Sequence, residues 1–579
     1  MMKKSRNQAW QYLSAVSGKG NIGILLAVQS LLGVSSVFYA LFLRDIINGA
    51  VAGEEQRFFI GVVRFALLIC VQLGFRALVR FLEEHTRSSL ENYFKKRLFS
   101  ALMERDYASV AAVHSGEWMN RLTSDTLVVA NGLTEILPHL AGMSVKLVGA
   151  VSMIVVLEPK FLYLIVPGGV LLVVFSSAFR KVLKRLHKNV QEQDGSLRMY
   201  MQESLSGMLV VRSYGVEKKV LEVAAGKMLA HKNARMEKNH FSNICNIGFG
   251  LVMNGAYVLG AFFCGYGILK GTMSYGTFMA VIQLIGQIQA PFANISGFLP
   301  KFYSMVASCE RLMEVEDFKY SVAGKEMSGI EVYKMYREQM QSILFSRVSF
   351  SYGRHSDGEV VDGNADQDTE NALLVFSDVN LNICKGDCVA VMGASGCGKS
   401  TLLKLIMGMY APDKGSVQIE LLHGNKESVR EWRRLYAYVP QGNCLMRGSI
   451  RDVVTFYRKE TDSDKKLERA LQLACADFVW ELPEGLDTML GEKGTGLSEG
   501  QMQRLAIARA LYADAPVLIL DEATSALDEA TEKRLLEQLK TLTDKTILIA
   551  THRKAALDLC NRGLVFEDGR IRQIEMKKG

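Results

Sequence analysis

Within its first 310 residues the chain carries long apolar stretches, near 21–43, 58–82, 130–157, 161–183, 243–268 and 277–300. Each is about the length that crosses a bilayer as a helix. Inside lipid every backbone N–H and C=O must be satisfied within the chain, so stretches of this length commit the region to helices. Pro138, Pro167 and Pro291 fall inside them, which spanning helices tolerate where neighbours satisfy the freed groups. The reading is six spans, with no secretory signal: the first apolar segment is long and no cleavage site follows it.

Charge in the connections sets an orientation. The link from Arg180 to Lys238 holds thirteen Lys or Arg against six Asp or Glu, whereas the three short links together hold four against four. The positive-inside bias then puts both termini and the long links in the cytosol of a multi-pass protein of the cytoplasmic membrane. The net charge of +8 fits anchoring at an anionic membrane face; no basic run with interleaved aromatics points to nucleic acid. Residues 4–17, with Trp10, Tyr12, Leu13 and Val16, read as an amphipathic helix on that face.

Polar residues recur at helical spacing inside the spans: Gln283, Gln287 and Asn294 in the sixth, Gln72, Arg76 and Arg80 in the second, Asn131, Glu135 and His139 with Lys146 in the third. Such groups are expensive in lipid and face a bundle interior or a wet cavity. A substrate pathway through Gln283, Gln287, Asn294 and Arg76 is one reading; hydrogen bonding between helices is the other. For Arg80 and Asn131 the preferred reading is a helix continuing past the bilayer.

After a mixed, charged stretch the texture changes at Ile343 to the alternation of strands. Residues 354–371 are polar and acidic and read as an exposed loop. The ten cysteines are scattered and read as reduced thiols; Cys384 and Cys388 would share a face of one strand. The apolar run Cys388–Met392 leads into Gly393-Ala394-Ser395-Gly396-Cys397-Gly398-Lys399-Ser400-Thr401 and then into Leu402, Leu403, Leu405 and Ile406 at helical spacing. That is a glycine-rich phosphate loop on a strand-to-helix turn. Its backbone N–H groups close around an anion, Lys399 is placed for phosphates and Ser400 for Mg²⁺. Cys397 lies within the loop, so its alkylation is expected to block nucleotide binding.

A second apolar strand, Val517–Leu520, ends in Asp521-Glu522, an acid pair suited to holding Mg²⁺ and to polarising water as general base. A third, Ile547–Ala550, ends in Thr551-His552. Ser498 and Gln501 have the spacing of a capping box, which is equally a plain helix cap or an anion site.

In this order and spacing the motifs resemble the ATP-binding cassette (ABC) transporters, and with a membrane domain ahead of the cassette, the exporter branch. Gly393–Ser400 resembles Walker A and Val517–Glu522 Walker B. Leu497–Gln501 is similar to the signature LSGGQ, with Glu499 in place of the second glycine. Gln441 resembles the Q-loop glutamine, Ser525–Asp528 the D-loop, His552 the switch histidine and Tyr352 the aromatic that stacks on adenine. Gly116, Arg121 and Asp125 resemble one coupling motif, 203–217 a second, and Gly491–Gly494 the X-loop. The resemblance implies an α-helical membrane domain of six spans joined to an α/β P-loop nucleotide-binding domain. The domains would be an elbow helix at 1–20, a transmembrane domain at 21–311, a connector at 312–341 and a cassette at 342–579.

It also implies ATP and Mg²⁺ as cofactors. Glu522, His552 and Gln441 would be catalytic, with Ser400, Gln441 and Asp521 at the metal. Tyr352 and Gly393–Thr401 would bind ATP, together with Ser498, Gly500 and Gln501 of a second subunit. The implied function is ATP-driven export of an amphipathic drug, lipid or small peptide by a half-transporter. The partner would be a second copy or a related half-transporter. A heterodimer subunit and an ATP-gated regulator of the membrane remain as alternatives.

Overall fold

The computed structural model describes residues 12–13, 19–321, 324–325, 327–352, 373–442, 444–456, 458, 463–491, 496–567 and 570–576, with side chains at 162, 164–166, 170–178, 180–181, 290–297 and 299–300 excepted. The chain forms two compact units: 1–103 with 114–317, and 104–113 with 318–579.

The first unit is built of long helices: α1 (Lys19–Ala52), α2 (Glu55–Glu104), α3 (Ser115–Leu157), α4 (Leu162–Ser206), α5 (Glu217–Leu269) and α6 (Tyr275–Glu314). Among the described residues, α1, α2, α3 and α5 are long and apolar enough to cross a membrane. The fourth and sixth apolar segments lie on α4 and α6, where many side chains are outside the described set. Phe59, Val63 and Leu67 of α2 are each more than half exposed. A bilayer, rather than a protein core, accounts for an apolar surface of that extent.

Helix contact comes instead through small residues. A Cβ on Gly33 of α1 would lie 2.7 Å from the Gly142 carbonyl oxygen of α3, and one on Gly142 2.9 Å from that of Gln29. The two backbones touch there because neither residue has a side chain. Farther along, α3 contains two π turns, Arg121–Asp125 and Gly132–Ile136. The first holds buried Asp125, which accepts two bonds from the Arg311 fork, at 2.8 and 2.6 Å, and one from the Ser308 hydroxyl at 2.8 Å. Those bonds hold Arg311 strongly in its charged form, the carboxylate contact being the largest cause.

The expected polar stripe of the sixth span divides. Gln283 is exposed, and the side chain of Asn294 lies outside the described residues. Gln287 is buried; it donates to the Ser36 carbonyl at 2.6 Å and accepts from the Ser36 hydroxyl at 3.1 Å. Its amide is taken up between α6 and α1, so the interhelical reading replaces the pathway reading at this position. Arg76 and Arg80 on α2 and His139 and Lys146 on α3 line one cavity. Of the amphipathic helix at 4–17 only Tyr12 and Leu13 are described. Both are helical and buried, Tyr12 stacking on Phe94 under the guanidinium of Arg97.

In the second unit, strands begin at Met340 rather than Ile343. The expected connector contains a helix, α7 (Gly329–Glu338), with a full capping box from Ser328 and Glu331. Its buried face, Val332, Met335 and Tyr336, belongs to the core of this unit. Twelve strands are named: β1 (Met340–Tyr352), β2 (Leu373–Cys384), β3 (Cys388–Met392), β4 (Lys414–Leu421), β5 (Lys426–Ser428), β6 (Tyr436–Val439), β7 (Gly448–Ser449), β8 (Met489–Leu490), β9 (Val517–Asp521), β10 (Thr546–Ala550), β11 (Arg562–Glu567) and β12 (Arg570–Glu575). One sheet runs β2-β1-β4-β5, antiparallel; the main sheet runs β12-β11-β3-β10-β9-β6. Its strands from β11 to β6 are all parallel. Every residue of β9 and β10 is buried, as expected where both faces of a parallel sheet are covered.

Cys384 and Cys388 do not share a strand. β2 ends at Cys384, Gly386 turns the chain at φ 82°, and β3 starts at Cys388. The Cys388 Sγ instead lies 3.4 Å from that of Cys560, and all ten cysteines are free thiols. The segment 104–113, with a short helix at Tyr107–Ala111, belongs to this unit. Asp106 pairs with Arg430, and the Tyr107 ring meets Tyr410 at 5.9 Å. The acidic loop at 354–371 and residues 492–494 of the X-loop lie outside the described residues.

Candidate nucleotide-binding site

Four parallel strands deliver their chemistry to one edge of the main sheet. β3 runs into Gly393, β9 ends in Asp521-Glu522, β10 leads to Thr551-His552, and Gln441 follows β6 by two residues. In open α/β sheets the carboxyl ends of the strands are where ligands bind.

The phosphate loop has a backbone that only glycine accommodates. Gly393 and Gly398 have φ of 151° and 108°, and a Cβ at either would lie 2.7 Å from Phe566 or 2.4 Å from Val375. The loop ends in α8 (Lys399–Ile406), for which Gly398 is the cap residue. Lys399 is buried. It donates to the carbonyls of Gly393 at 2.8 Å and Ala394 at 3.1 Å, and to Nε2 of His552 at 3.0 Å. With an ammonium as donor, that histidine nitrogen is the acceptor and the ring proton sits on Nδ1. Among the described residues no carboxylate pairs with Lys399. A buried ammonium without an acid is costly unless an anion arrives, so the loop fits a phosphate.

Asp521 is buried and accepts from the Tyr438 hydroxyl at 3.1 Å. Burial, with the Asp521 charge behind it, pushes the Tyr438 hydroxyl well above its ordinary pKa, so it stays protonated as the donor. Glu522 has φ of 52°, a left-handed conformation uncommon outside glycine. That twist takes its side chain out of the alternation of β9. Its N–H is held by the Ala550 carbonyl at 3.0 Å, and its carboxylate accepts from the Gln441 amide at 2.8 Å. Among the described residues no group of three or more His, Cys, Asp or Glu could hold a metal. The Ser400 hydroxyl, Asp521 and the Gln441 side-chain oxygen, whose amide nitrogen is the part bonded to Glu522, are a small oxygen donor set, which suits Mg²⁺, an ion that keeps waters and phosphate oxygens for the rest of its octahedron.

Tyr352 stands beside α8: its hydroxyl bonds that of Thr401 at 2.8 Å, and its ring packs edge-on to Phe350 and Tyr410. The signature residues sit elsewhere, at the start of α9 (Glu499–Tyr512). Ser498 accepts from the Gln501 N–H at 3.3 Å, and the Gln501 side chain accepts from the Ser498 N–H at 2.8 Å. A Cβ at Gly500 would lie 2.9 Å from the Ala526 carbonyl oxygen, so α9 meets the D-loop through bare backbone.

The residues that hold the D-loop escaped the sequence reading. Gln503 of α9 donates to the Ser525 hydroxyl at 2.9 Å and accepts from the Ala526 N–H at 3.0 Å. Arg553, next to His552, reaches the carbonyls of Ser525 and Leu527 at 2.7 and 2.8 Å and the Glu532 carboxylate at 2.8 Å. Glu532, on α10 (Glu529–Lys540), is buried and takes a second bond from Thr524 at 2.8 Å. The signal in the sequence was an arginine directly after the switch histidine; its partners lie 21 to 28 positions away. Asp528 caps α10, and the N–H of Thr531 holds its carboxyl below the usual range.

Comparison with known proteins gives two family matches: the ABC transporter transmembrane region over residues 22–292 and the ABC transporter family proper over 376–525. The chain belongs to the ABC transporters. Among similar proteins, the ATP-dependent lipid A-core flippase 1 of Colwellia psychrerythraea is 25% identical over 95% of this chain and 90% of its own length. The alpha-hemolysin translocation ATP-binding protein HlyB of Escherichia coli O157:H7 is 26% identical over 89% of this chain and 71% of its own. ABC transporter B family member 1 of Dictyostelium discoideum is 27% identical over 84% of this chain, which spans 51% of that protein. A solved bacterial Atm1-family ABC exporter with ATP bound shares the fold, with a TM-score of 0.77 at 21% identity over 96% of this chain and 95% of that one. This transporter is thus a multi-pass membrane protein with membrane and cassette domains in one chain. It couples ATP hydrolysis to export across a membrane.

Proposed function

We propose that two such subunits form a two-fold dimer in the cytoplasmic membrane that exports an amphipathic solute by alternating access, with both termini in the cytosol. A second copy of this chain is the favoured partner, because Glu522 and His552 are both present and each half carries a full set of catalytic groups. The observation that carries the reading is the Glu522 carboxylate, displaced from β9 by its positive φ and held by Gln441 at the sheet edge that also carries Lys399 and His552.

The chemistry follows from those positions. Glu522 takes a proton from water as the water oxygen bonds to the terminal phosphorus of ATP and the bond to ADP breaks. Gln441 holds the base in place. Lys399 and the loop amides meet the phosphate oxygens, and His552 lies within reach of the same phosphate through its contact with Lys399. Mg²⁺, held by Ser400, Asp521 and Gln441, would neutralise phosphate charge. Tyr352 supplies a face for adenine. Ser498, Gly500 and Gln501 would act on the partner's nucleotide: Gly500 and Gln503 set α9 against the D-loop of their own cassette, and the start of α9 is offered to a second subunit. Closure around two nucleotides would then shift the helical domains from inward- to outward-facing.

The relatives named for lipid A-core export make a lipid the favoured solute class among drug, lipid and small peptide. The test is the ATPase rate of the singly expressed chain in nanodiscs beside Glu522→Gln. Activity that collapses in the variant supports a self-sufficient dimer. A well-folded but inactive wild type counts against it, and the search then moves to a different half-transporter as partner.

A further inference from the structure

Buried acids in this chain come with an arginine, with one exception. Among the described residues, Asp125, Asp387 and Glu532 are buried and pair with Arg311, Arg562 and Arg553. Asp521 is as buried as Asp125, at 2% exposed, and among the described residues no ion pair holds it. Its one side-chain bond there comes from the Tyr438 hydroxyl, 3.1 Å from Oδ2. A carboxylate can only accept, so the phenol donates. Oδ1 is left without a side-chain donor among the described residues. A buried carboxylate in that state is costly until a cation or further donors meet it.

The strand register explains the reach. β6 and β9 run parallel, with Tyr438 beside Ile519 and Val439 beside Leu520. Side chains in register on neighbouring strands share a face, as do residues two apart on one strand. Tyr438, Ile519 and Asp521 therefore lie on one face, and the length of a phenol spans the diagonal. Three residues on, Gln441 takes the carboxylate of Glu522. One strand end thus holds two successive acids through two different side chains. We propose that Tyr438 is a positioning residue for the metal site: its hydroxyl fixes Oδ2 of Asp521 and leaves Oδ1 for the Mg²⁺ that accompanies the nucleotide. The inference rests on the reading of Asp521 as a metal ligand and adds the residue that orients it. Losing a hydrogen-bond partner behind a ligand costs about 10- to 100-fold in metal affinity. With Tyr438 on the metal carboxylate and Gln441 on the base, the two roles should separate on substitution.

The probe is ADP carrying a methylanthraniloyl fluorophore, titrated into the full chain in nanodiscs twice, once with excess Mg²⁺ and once in EDTA. The ratio of the two affinities is the contribution of the metal, and no turnover is needed to read it. Tyr438→Phe keeps the ring and removes the donor. It should lower the ratio about tenfold and leave the EDTA affinity unchanged, which also shows that the variant is folded. Tyr438→Leu repeats the measurement with a smaller apolar side chain and should give the same loss. Asp521→Asn should lower the ratio at least as far. Tyr438→Phe added to Asp521→Asn should change nothing more, since the phenol acts through that carboxylate.

An unchanged ratio in Tyr438→Phe beside a low one in Asp521→Asn overturns the positioning role and leaves Asp521 as a ligand. A raised ratio, the mark of a carboxylate freed to follow the ion, overturns it as well, and so does full additivity of the two substitutions. If Asp521→Asn keeps the wild-type ratio, the metal reading of Asp521 fails first and the role of Tyr438 goes with it.

Discussion

Replacing Arg553 with alanine should loosen the D-loop before it disturbs anything else. The side chain makes three bonds, to the carbonyls of Ser525 and Leu527 and to the Glu532 carboxylate. Its removal leaves Glu532, 2% exposed, with the Thr524 hydroxyl as its remaining side-chain donor. Breaking a fully buried ion pair by deleting one partner costs about 3–5 kcal/mol. The Arg553 side chain is 36% exposed, so water reaches the guanidinium and screens part of that loss. A cost of about 2–3 kcal/mol is the reasonable expectation. Most of it is local, because all three bonds converge on 525–532. The opening equilibrium of the D-loop should then rise by a factor of about 30 to 160.

The assay is amide hydrogen exchange in the full chain in nanodiscs, read on the peptide covering Thr524–Asp528, with ATPase rate measured in parallel. Exchange should quicken by about that factor in Arg553→Ala, while peptides from α9 beyond Gln503 change little. Glu532→Gln, which keeps a neutral acceptor, should show a smaller change in the same peptide. If the ATPase rate falls while D-loop exchange stays at the wild-type level, the clamp argument is refuted.

Gly500→Ala should cut the ATPase rate, since its Cβ would sit 2.9 Å from the Ala526 carbonyl oxygen and overpacking of this kind costs about 1–3 kcal/mol; steady-state kinetics checks it. Tyr352→Phe keeps the ring and loses the bond to Thr401, so its KM for ATP should stay within about threefold of wild type, whereas Tyr352→Leu should raise KM about tenfold or more by losing the stack. Asp125→Asn strips the charge that the Arg311 fork and Ser308 bind; a thermal shift of the purified chain should report a loss of about 2–4 kcal/mol, the Arg311 side chain being 44% exposed. Alkylating Cys397 should abolish ATP binding, and ATP should protect it. A Cβ placed on Gly393 would lie 2.7 Å from the Cys397 sulfur, so any group added there fills the loop. Nucleotide binding that survives stoichiometric alkylation would contradict this.

What could be read from the sequence was whatever is local. The phosphate loop, the acid pair after β9 and the histidine after β10 each sit at the end of an apolar run. A strand end is visible without knowing what lies beside it. The long helices were legible for a similar reason, since lipid leaves the backbone no other solution. Gln287 shows the limit. Helical spacing said which residues share its face, but not that Ser36, 251 positions earlier, stands opposite. The D-loop clamp was hidden in the same way, the Gln503 and Arg553 bonds each joining residues more than twenty apart with no periodicity to announce them. Cys384 and Cys388 misled for the opposite reason: their spacing suggested one continuous strand, and Gly386 between them makes the turn.

Glu499 is the departure from the signature pattern that the structure makes concrete. It opens α9, where an acid in the first turn is favourable to the helix by about 0.3–1 kcal/mol. That same positive end is what would receive the partner's phosphate. The capping box already occupies the N–H groups of Ser498 and Gln501. Among the described residues the N–H groups of Glu499 and Gly500 are left without an acceptor in the chain. A carboxylate carried by one of those two residues competes with an incoming phosphate for the field that both need. Helix stability and nucleotide affinity therefore pull in opposite directions at this position. Glu499→Gly should lower the first and raise the second, a pair of signs that a purely structural role for the signature helix would not produce.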